Sequence, residues 1–513
     1  MRKTAARILA ALSVLLASLL FVAQPALAQD VSGTVYASSL SSSSDILLMG
    51  DTTIVLSKGD NVTVSHIDCH YHTLTIRGSD EGTLTCTRGI DASASGNSLT
   101  IKGGTINVIG EFRPTDSSYG VKCRGRFTMT GGSLTISNSS GSIPMWRTYG
   151  LHVSGDFTMS RGELIVSWSS GSNYTIGIMA TGNVDISGGT INVSAKGTNS
   201  DGTATGIGTA DGNYVAWNIT GGVITVESST PPDTSIPGYT FYNGFGIHLQ
   251  NHETNIISGN AQINVTGACD AFACHSPIVV SGDAHVSCEG GSHGFYAEKG
   301  VQITERAYVE ARATTDQPFF GGNAGISFAS THGITNPSGG YVGTYSGSSY
   351  SAGSCVFASN GTIPTYVCIR RTTNIPMHRL YNQWTGEHFY TASDQERDNL
   401  TSVGWTYEGV GWTAPPSGRT VYRLYNPWVS GGDHHYTMDL DEYQSCIDAG
   451  WVGEGFGWYS YSAPSGHYQG VRVYRQYNPW AVTGSHNYTT STSERDNLIS
   501  LGWVDEGVAW RGV

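Results

Sequence analysis

The chain is poor in charged residues, and those that it has are mostly acidic. Asp, Glu, Lys and Arg make up 13% of the 513 residues, with 27 Lys and Arg against 40 Asp and Glu. Helix-rich folds use many more charged and long-chain residues, so this composition argues against them. No basic tract occurs either, which argues against nucleic acid or an anionic membrane as a partner.

Long apolar runs are scarce, and the single one lies at the start of the chain. It spans Ile8–Ala23, follows Arg2 and Lys3, and precedes the small-x-small sequence Ala26-Leu27-Ala28. This pattern predicts a signal peptide at residues 1–28 and a secreted or extracellular chain with no membrane span after cleavage. The mature chain would carry a net charge of about −16, because three positive charges leave with the signal peptide. The last residues do not resemble a wall-sorting tail, so we expect any wall attachment to be non-covalent.

Paired metal-binding cysteines are missing as well. None of the nine cysteines stands in a CxxC spacing, which argues against a structural zinc or redox site. In an exported chain some of them could form disulfides, but the sequence leaves their pairing open.

Glycine is abundant, and much of it recurs in one phrase. Two short alternating apolar segments flank a glycine corner in VDISGGTINVS from Val184, LTIKGGTINVIG from Leu99 and FTMTGGSLTIS from Phe127, and several more copies follow. Each copy is preceded by a third short segment such as YGVKC or YGLHV. Three strands per repeat at roughly 23 to 38 residues predict a solenoid, because each unit can bury its apolar side chains only against its neighbours.

The phase of the glycine corners favours a right-handed parallel β-helix over a propeller or a sandwich. We assign the β-helix to residues 29–331 and a Gly/Ser-rich closing hairpin and linker to residues 332–374. Insertions fall at one edge of the solenoid, where they place aromatic residues that could bind an extended polysaccharide. These residues are Phe112, Trp146, Trp168, Tyr174, Tyr239, Phe241 and Tyr242.

A second repeat occupies residues 375–513, where Trp and Tyr become dense. Three copies, spaced by 44 and 52 residues, each contain Tyr-Asn-x-Trp, then a GxHxYT-like phrase, a short helical segment and a closing EGxxW-like phrase. Ser or Asp before each helix and Gly404, Gly450 or Gly502 after it predict caps. The fold class is therefore all-β, with a pseudo-threefold, trefoil-like C-terminal domain that contains short helices.

Both halves resemble known families. The glycine-corner repeats resemble the carbohydrate-binding parallel β-helices of secreted bacterial proteins in the pectate-lyase-like superfamily. The three YNP, GxHxYT, ERDxLxxxGW and EGxxW phrases resemble a C-terminal repeat domain of unknown function in exported Gram-positive hydrolases and surface proteins. That resemblance implies an accessory role in wall or glycan binding.

The repeat places one tryptophan in each loop that follows a Tyr-Asn turn. Sugars stack their C–H faces on such rings, and nearby amide and imidazole groups can bond to hydroxyls. We therefore predict a carbohydrate site made of Trp384, Trp428, Trp480, Asn382, Asn426, Asn478, His388, His434 and His486. Arg379, Arg423 and Arg475 recur in step with Glu408, Glu454 and Glu506 and are predicted to form structural ion pairs.

No catalytic or metal-ligand residue set stands out. Asp156, Asp185 and Asp283 occur singly on or beside strands, and the strings typical of galacturonan hydrolases of this fold are absent. We expect no cofactor, although Asp201 and Asp211 could contribute to a calcium site.

We therefore expect a non-enzymatic secreted or cell-surface protein that binds a polysaccharide or cell-wall glycan, in adhesion or wall recognition. Two alternatives stay open. One is a divergent polysaccharide lyase or hydrolase acting on the β-helix, and the other is a structural stalk with a protein-binding C-terminal module.

Overall fold

The structure is a computed structural model that describes residues 28–110, 117–138, 146–209, 214–231, 243–322, 324–343, 354–461 and 470–513. The predicted signal peptide, apart from residue 28, lies outside the described residues. Within them the protein is all-β with three short α-helices, as the composition predicts. None of the described helices has the length and apolar character needed to cross a membrane.

A large, mostly parallel sheet curls nearly closed over the first part of the chain. Its 31 strands in the described residues, numbered β1 to β31, are Gln29–Tyr36, Ile46–Leu56, Asn61–Val64, Ile67–Asp68, Leu74–Gly78, Thr83–Cys86, Ile90–Ala92, Leu99–Gly110, Ser117–Cys123, Phe127–Asn138, Arg147–Val153, Phe157–Ser170, Tyr174–Ala180, Val184–Gly197, Thr203–Gly208, Trp217–Ser229, Gly244–Leu249, Asn255–Ile257, Gln262–Gly267, Asp270–Cys274, Ile278–Val280, His285–Gly290, His293–Ala297, Val301–Ile303, Tyr308–Ala313, Phe319–Phe320, Ile326–Phe328, His332–Asn336, Tyr341–Gly343, Cys355–Phe357 and Tyr366–Arg371. A 3₁₀ turn, Ala37–Ser39, follows β1.

Each rung of this parallel β-helix stacks in register on the next. Phe127 pairs with Phe157, which in turn pairs with Val184, and equivalent side chains lie above one another inside the coil. The Phe127 and Phe157 rings are stacked with 5.1 Å between their centroids. The apolar segments of the repeat therefore fill one continuous buried core, which supplies most of the stabilisation of this region.

The glycine corners are required by sterics. Gly132 has a φ of +73°, and a Cβ there would lie 2.6 Å from the carbonyl oxygen of Gly104 in the rung before. Gly162 repeats this relation to Gly132. Any side chain at these corners would push successive rungs apart, which explains the phase of the Gly-Gly step.

The last parallel rung contains β25, β26 and β27, and beyond it β25 pairs antiparallel with β31 and β26 with β30. β28 also pairs antiparallel with β31, and β29 with β30, so the last rung is covered by antiparallel strands from the segment assigned to a closing hairpin. All nine cysteines are unpaired, and seven of them are buried.

The C-terminal region consists of three separate three-stranded antiparallel sheets. They are formed by strands β32 to β40, and one helix links the second and third strands of each sheet. In chain order the elements are Ile375–Tyr381, His388–Thr391, α1 Asp394–Ser402, Thr406–Ala414, Arg419–Tyr425, His434–Thr437, α2 Leu440–Asp448, Val452–Ser460, Arg472–Tyr477, His486–Thr489, α3 Thr492–Ser500 and Val504–Arg511. In every repeat the first strand lies between the other two, which confirms the threefold organisation.

The helix caps follow the sequence pattern. The side chains of Ser393, Asp439 and Ser491 accept hydrogen bonds from backbone N–H groups in the first helical turn. Gly404 and its two equivalents follow the helices with positive φ values.

A ring of tyrosines closes the three repeats around their pseudo-threefold axis. The Tyr436 hydroxyl bonds to the backbone N–H and C=O of Tyr390 at 3.0 and 3.1 Å. The Tyr488 hydroxyl bonds in the same way to Tyr436, and the Tyr390 hydroxyl accepts from the N–H of Tyr488. Because every repeat bonds to the next and the last returns to the first, no repeat has a free end.

The β-helix and the C-terminal domain are in contact. Asn260 Nδ2 donates to the carbonyl oxygen of Glu454 at 2.8 Å, and Arg306 Nη1 donates to the carbonyl oxygen of Ala392. The corners of the β-helix thus lie against the first two C-terminal repeats.

Candidate functional site

The three tryptophans predicted to bind carbohydrate are all strongly exposed. Trp384, Trp428 and Trp480 expose 67%, 77% and 69% of their surface. A soluble domain rarely leaves so large an apolar side chain in water three times at equivalent positions without a use for it. Among the described residues no one of these rings contacts another, so they form three single-tryptophan sites rather than one composite site.

Each of these rings lies over the glycine that ends the helix of its repeat. A Cβ at Gly404 would come 2.5 Å from Cη2 of Trp384, and one at Gly450 would come 2.8 Å from Nε1 of Trp428. These glycines also have φ values of +101° and +92°. Glycine is therefore needed both to end the helix and to let the ring approach the backbone, which fixes the ring in place.

The predicted asparagines hold the turns rather than face the solvent. Asn382 Oδ1 accepts from the backbone N–H of Trp384 at 3.0 Å, and Asn426 and Asn478 make the same bond two residues ahead at 3.0 and 3.1 Å. This is an Asx turn. Its effect is to position the tryptophan, since the amide oxygen is already used.

The predicted histidines lie half-buried beside glutamates. The Nε2 atoms of His388, His434 and His486 are 3.4, 3.6 and 3.4 Å from carboxylate oxygens of Glu408, Glu454 and Glu506. Each imidazole also packs on the tyrosine that begins the loop, with centroids 4.9 to 5.2 Å apart. Hydrogen bonding to the imidazole holds the pKa of Glu408 and of Glu506 below the usual range.

The predicted arginine–glutamate pairs are confirmed, and they extend between repeats. Arg423 lies 2.7 Å from Glu454 of its own repeat and 3.0 Å from Glu396 at the start of α1. The other two arginines bridge in the same way, from Arg379 to Glu408 and Glu494 and from Arg475 to Glu506 and Glu442. The result is a cyclic ion-pair network that joins all three repeats.

The closing tryptophans fill the centre of the domain. Trp412, Trp458 and Trp510 are buried, with ring centroids 5.4 to 5.7 Å apart. The tryptophans that follow each helix, Trp405, Trp451 and Trp503, are only half-buried.

A second surface with aromatic and imidazole side chains lies on the β-helix. It is the outer face of β9, β11, β13, β15, β17, β20, β23 and β26, which we call the aromatic face. Tyr119 and Tyr149 stack on adjacent rungs at 5.2 Å, and His152 lies 4.9 Å from Tyr149. Further along, Phe245 stacks on His248 at 4.3 Å.

A cavity of about 380 Å³ opens on the aromatic face. Arg147 and Tyr174 line one side and Phe245, His248 and Gln250 the other, with threonine hydroxyls between them. The Arg147 guanidinium lies 5.2 Å from the centre of the Tyr174 ring. This mixture of rings and short polar groups is typical of small-molecule sites.

A chain of three titratable groups reaches this cavity through His248, which is the one member of the chain among the lining residues. His275 Nδ1 lies 2.6 Å from Glu298 Oε2 and its Nε2 lies 3.1 Å from Nε2 of His248. If His275 donates to the carboxylate, its Nε2 is an acceptor, so His248 donates. Burial, and next the neighbouring His275, lowers the pKa of His248 to about 4.

This surface was not predicted from the sequence, although one signal for it exists. His152 in YGLHV and His248 in FGIHL occupy the same position of the same short strand, so aligning the strands places both imidazoles on one face. The partners Glu298 and His275 lie 23 residues apart in adjacent rungs, and nothing local connects them.

The predicted row of loop aromatics is only partly confirmed. Trp146 is exposed and lies edge-on to Tyr174 at 5.6 Å. The prediction for Trp168 is wrong, because its ring is buried inside the coil, in space left by Gly110 and Gly120. The remaining predicted positions, Phe112, Tyr239, Phe241 and Tyr242, lie outside the described residues.

The single aspartates have ordinary structural roles where they are described. Asp156 lies 3.6 Å from Arg126, Asp283 pairs with Arg306, and Asp185 accepts from Asn218. Asp201 lies in an exposed turn, and Asp211 is outside the described residues. Within the described part of the chain, no group of three or more His, Cys, Asp or Glu residues is arranged to hold a metal ion.

Comparison with known proteins gives one match. Residues 376–513 match the family model described as Domain of unknown function (DUF5648), which covers the three C-terminal repeats and leaves the β-helix unmatched. No curated protein and no solved structure matched the chain.

Proposed function

We propose that this is an exported carbohydrate-binding protein and that its three C-terminal repeats each present one glycan site. The observation that carries the proposal is the threefold recurrence of an exposed tryptophan fixed by an Asx turn over a helix-ending glycine. A ring fixed before the ligand arrives loses little conformational entropy on binding, which favours stacking on a sugar.

The three sites are proposed to act together on a repetitive glycan. Each isolated stacking contact is weak, of the order of 1 kcal/mol beyond buried area. When one ligand bears several binding units, the second and third contacts become intramolecular, and the overall affinity rises without any new contact. A wall polysaccharide or another repeating glycan has this multivalency, whereas a free monosaccharide does not.

The roles of the nine predicted residues differ in this proposal. Trp384, Trp428 and Trp480 contact the sugar. The asparagines position the rings through their turn bonds, and the histidines brace the loops through glutamate and tyrosine contacts.

The second repeat is proposed to be the least favourable of the three sites. Trp428 Nε1 donates to the carbonyl oxygen of Gly450 at 2.9 Å, so its indole N–H is already used. Among the described residues Trp384 and Trp480 find no such acceptor, so their N–H groups are proposed to donate to a sugar hydroxyl.

The aromatic face of the β-helix supports a second binding surface for the same class of ligand. Its rings recur on successive rungs, and so would suit an extended chain of sugar units lying along the coil. The 380 Å³ cavity would take one unit of that chain.

An enzymatic alternative rests on the chain from Glu298 through His275 to His248. A carboxylate that orients an imidazole is an arrangement used in acid–base catalysis, and here the oriented His275 contacts His248, which lines the cavity. A polysaccharide lyase or hydrolase would use such a group. We favour binding, because the exposed tryptophan recurs in all three repeats, whereas the Glu298–His275–His248 arrangement is described at one place on the β-helix.

The other alternative is a rigid stalk with a protein-binding module, and the test must separate all three. The full mature chain would be applied to a glycan array beside the variant with Trp384, Trp428 and Trp480 changed to Ala. We expect the wild-type chain to bind one class of repeating glycan and the triple variant to lose at least tenfold in affinity.

The matched control is Tyr36→Ala, which removes a ring that is 57% exposed on the first strand of the β-helix, outside the strands of the aromatic face. It should leave array binding by the C-terminal sites unchanged. Absence of glycan binding by the wild-type chain would contradict the proposal and favour the stalk. Release of shorter products, abolished by His275→Ala, would favour the enzyme.

A further inference from the structure

A cavity of about 340 Å³ lies where the β-helix meets the second C-terminal repeat. On the β-helix side it is lined by residues of β22, β25 and β31, among them His285, Tyr308 and Arg370. On the other side it is lined by β35 and β37, among them Tyr422 and Tyr459. It is separate from the exposed tryptophans and from the aromatic face.

Three arginines and one carboxylate line this cavity, namely Arg306, Arg370, Arg371 and Asp283. Asp283 is engaged by Arg306, which bonds to both of its oxygens. Within the described residues neither Arg370 nor Arg371 has a carboxylate within ion-pair distance. Arg371 bonds only to the Thr373 hydroxyl and, more weakly, to the carbonyl oxygen of Asn374.

Two other acidic groups near the cavity, Glu310 and Asp394, already have hydrogen-bond partners. Glu310 accepts hydrogen bonds from the hydroxyls of Ser287, Tyr308 and Tyr366 at 2.8, 3.1 and 2.6 Å. Asp394 is bonded to Arg397 and His378. The groups that line the cavity carry an excess of two positive charges. Glu310 keeps its negative charge, because the hydroxyls that bond to it are neutral, so the excess falls to one when this neighbour is included.

The excess of positive charge is energetically unfavourable in this cavity. Burial, and next the positive charge of Arg306, lowers the pKa of Arg371 below its usual value. Burial also lowers the pKa of His285, so that imidazole is neutral near pH 7 and does not add to the charge. An anion in the cavity would relieve the repulsion between the guanidinium groups.

The walls of the cavity suit a ring. Tyr308, Tyr422, Phe456 and Tyr459 line it, and Phe456 and Tyr459 pack on each other at 4.7 Å. Phe456 is particular to the second repeat, since the equivalent residues Val410 and Val508 are exposed. The aromatic wall thus occurs only in the repeat that faces the unpaired arginines.

We propose that this interdomain cavity binds a small ring-bearing oxyanion, with Arg370 and Arg371 holding a carboxylate, sulfate or phosphate group and the tyrosines holding the ring. The ring is either that of an acidic sugar or an aromatic one, because both stack on tyrosine and phenylalanine. A site of this kind would make the contact between the two domains responsive to the ligand. The proposal does not depend on the tryptophan sites.

The test is calorimetric titration of the full mature chain at low salt. The probes are glucuronate and benzoate, with glucose and inorganic phosphate as comparisons that lack the charge or the ring. We expect saturable binding of glucuronate or benzoate at one site per chain, at least tenfold tighter than phosphate, and no binding of glucose. The stronger of the two ring ligands identifies the source.

Two variants test the residues. Arg370→Gln with Arg371→Gln should weaken binding at least tenfold, while Arg77→Gln with Arg124→Gln removes the same charge from exposed positions and should leave it unchanged. Phe456→Val, which introduces the residue of the other repeats, should weaken the ring ligands but not phosphate and keeps the test informative if the double variant does not fold.

No binding of either ring ligand up to millimolar concentration would overturn the proposal. Equal affinity for phosphate and the ring ligands, or unchanged affinity in both cavity variants, would overturn it as well.

Discussion

The β-helix and the C-terminal domain both consist of repeats, but they hold their repeats together in different ways. In the β-helix each rung pairs with its neighbours in the stack, and the apolar core runs on until antiparallel strands cover its end. In the C-terminal domain the third repeat bonds back to the first through the tyrosine ring and the arginine–glutamate network. An open stack tolerates rungs and insertions of varied length, whereas a closed ring fixes the number of repeats and the positions of its three loops.

This difference has a consequence for binding. The glycan sites proposed on the closed domain lie at matching positions because closure gives every loop similar surroundings, and they differ in that Trp428 uses its indole N–H within the protein. The aromatic face changes from rung to rung, from Tyr149 to Phe245 to Tyr296. A closed ring of repeats thus favours sites that match one another, whereas an open stack of rungs favours a single surface that varies along its length.

The largest expected effect is the loss of a central residue of the closed ring. Trp458→Ala should destabilise the C-terminal domain by about 3–5 kcal/mol, because its ring packs against both other closing tryptophans. Trp428→Ala in the same repeat removes an equal side chain that is 77% exposed. It should change stability by less than about 0.5 kcal/mol.

Urea denaturation followed by near-UV circular dichroism would measure both variants. Because the ring has no free end, all three repeats should unfold together in Trp458→Ala. Unfolding of the second repeat alone would show that the repeats behave as a stack.

A corner of the β-helix gives the next effect. Gly132→Ala should destabilise by about 1–3 kcal/mol, because alanine would be strained at positive φ and its Cβ would meet the backbone of the rung before. Gly59→Ala is the matched control, since Gly59 has a φ of +83° but open space around it. Both changes carry the strain of alanine at positive φ, but only Gly132→Ala adds a clash with the neighbouring rung, so it should lower the melting temperature of the β-helix more. Equal shifts would show that close packing of rungs is unimportant.

The ion-pair network gives a smaller effect. Arg423→Gln leaves Glu396 and Glu454 without their common partner and should cost about 1–2 kcal/mol. Lys58→Gln breaks the exposed pair with Glu81 in the β-helix and should cost less than about 0.5 kcal/mol. Thermal melts of the two variants would compare them, and an equal cost would mean that the network does not join the repeats.

Acid should reveal the same contrast. The pKa values of Glu408 and Glu506 are depressed, so their contribution to stability is present above the unfolded value of about 4.3. It is lost as the pH falls through the lower folded values. The C-terminal domain should therefore lose stability below about pH 4.3 more steeply than the β-helix, as followed by urea midpoints at several pH values. A steeper loss in the β-helix would contradict this.

Local patterns in the sequence predicted much of this structure. The glycine corners predicted the parallel stack. Ser393 and Gly404, which recur in all three repeats, predicted helix caps, and the recurring arginines and glutamates predicted ion pairs. These features depend on a few neighbouring residues and are repeated, so each copy supports the others.

Contacts between distant rungs could not be predicted in the same way. Trp168 looked like a loop residue, and its burial depends on Gly110 and Gly120 in earlier rungs. The asparagines were predicted to bind sugar, because the sequence does not show that their side-chain oxygens accept hydrogen bonds from the backbone. The interdomain cavity is lined by β31 and by the second repeat. These two surfaces meet only when the domains pack together, so no local sequence pattern predicts the cavity.

The most direct test of the account is to count glycan sites. Calorimetric titration of the full chain with a short fragment of the glycan found on the array should give three sites that depend on these tryptophans. Trp384→Ala should remove one of them and the triple tryptophan variant all three, while Tyr36→Ala keeps them. A number of sites that does not change when these tryptophans are removed would contradict the claim that the closed domain binds glycan through them.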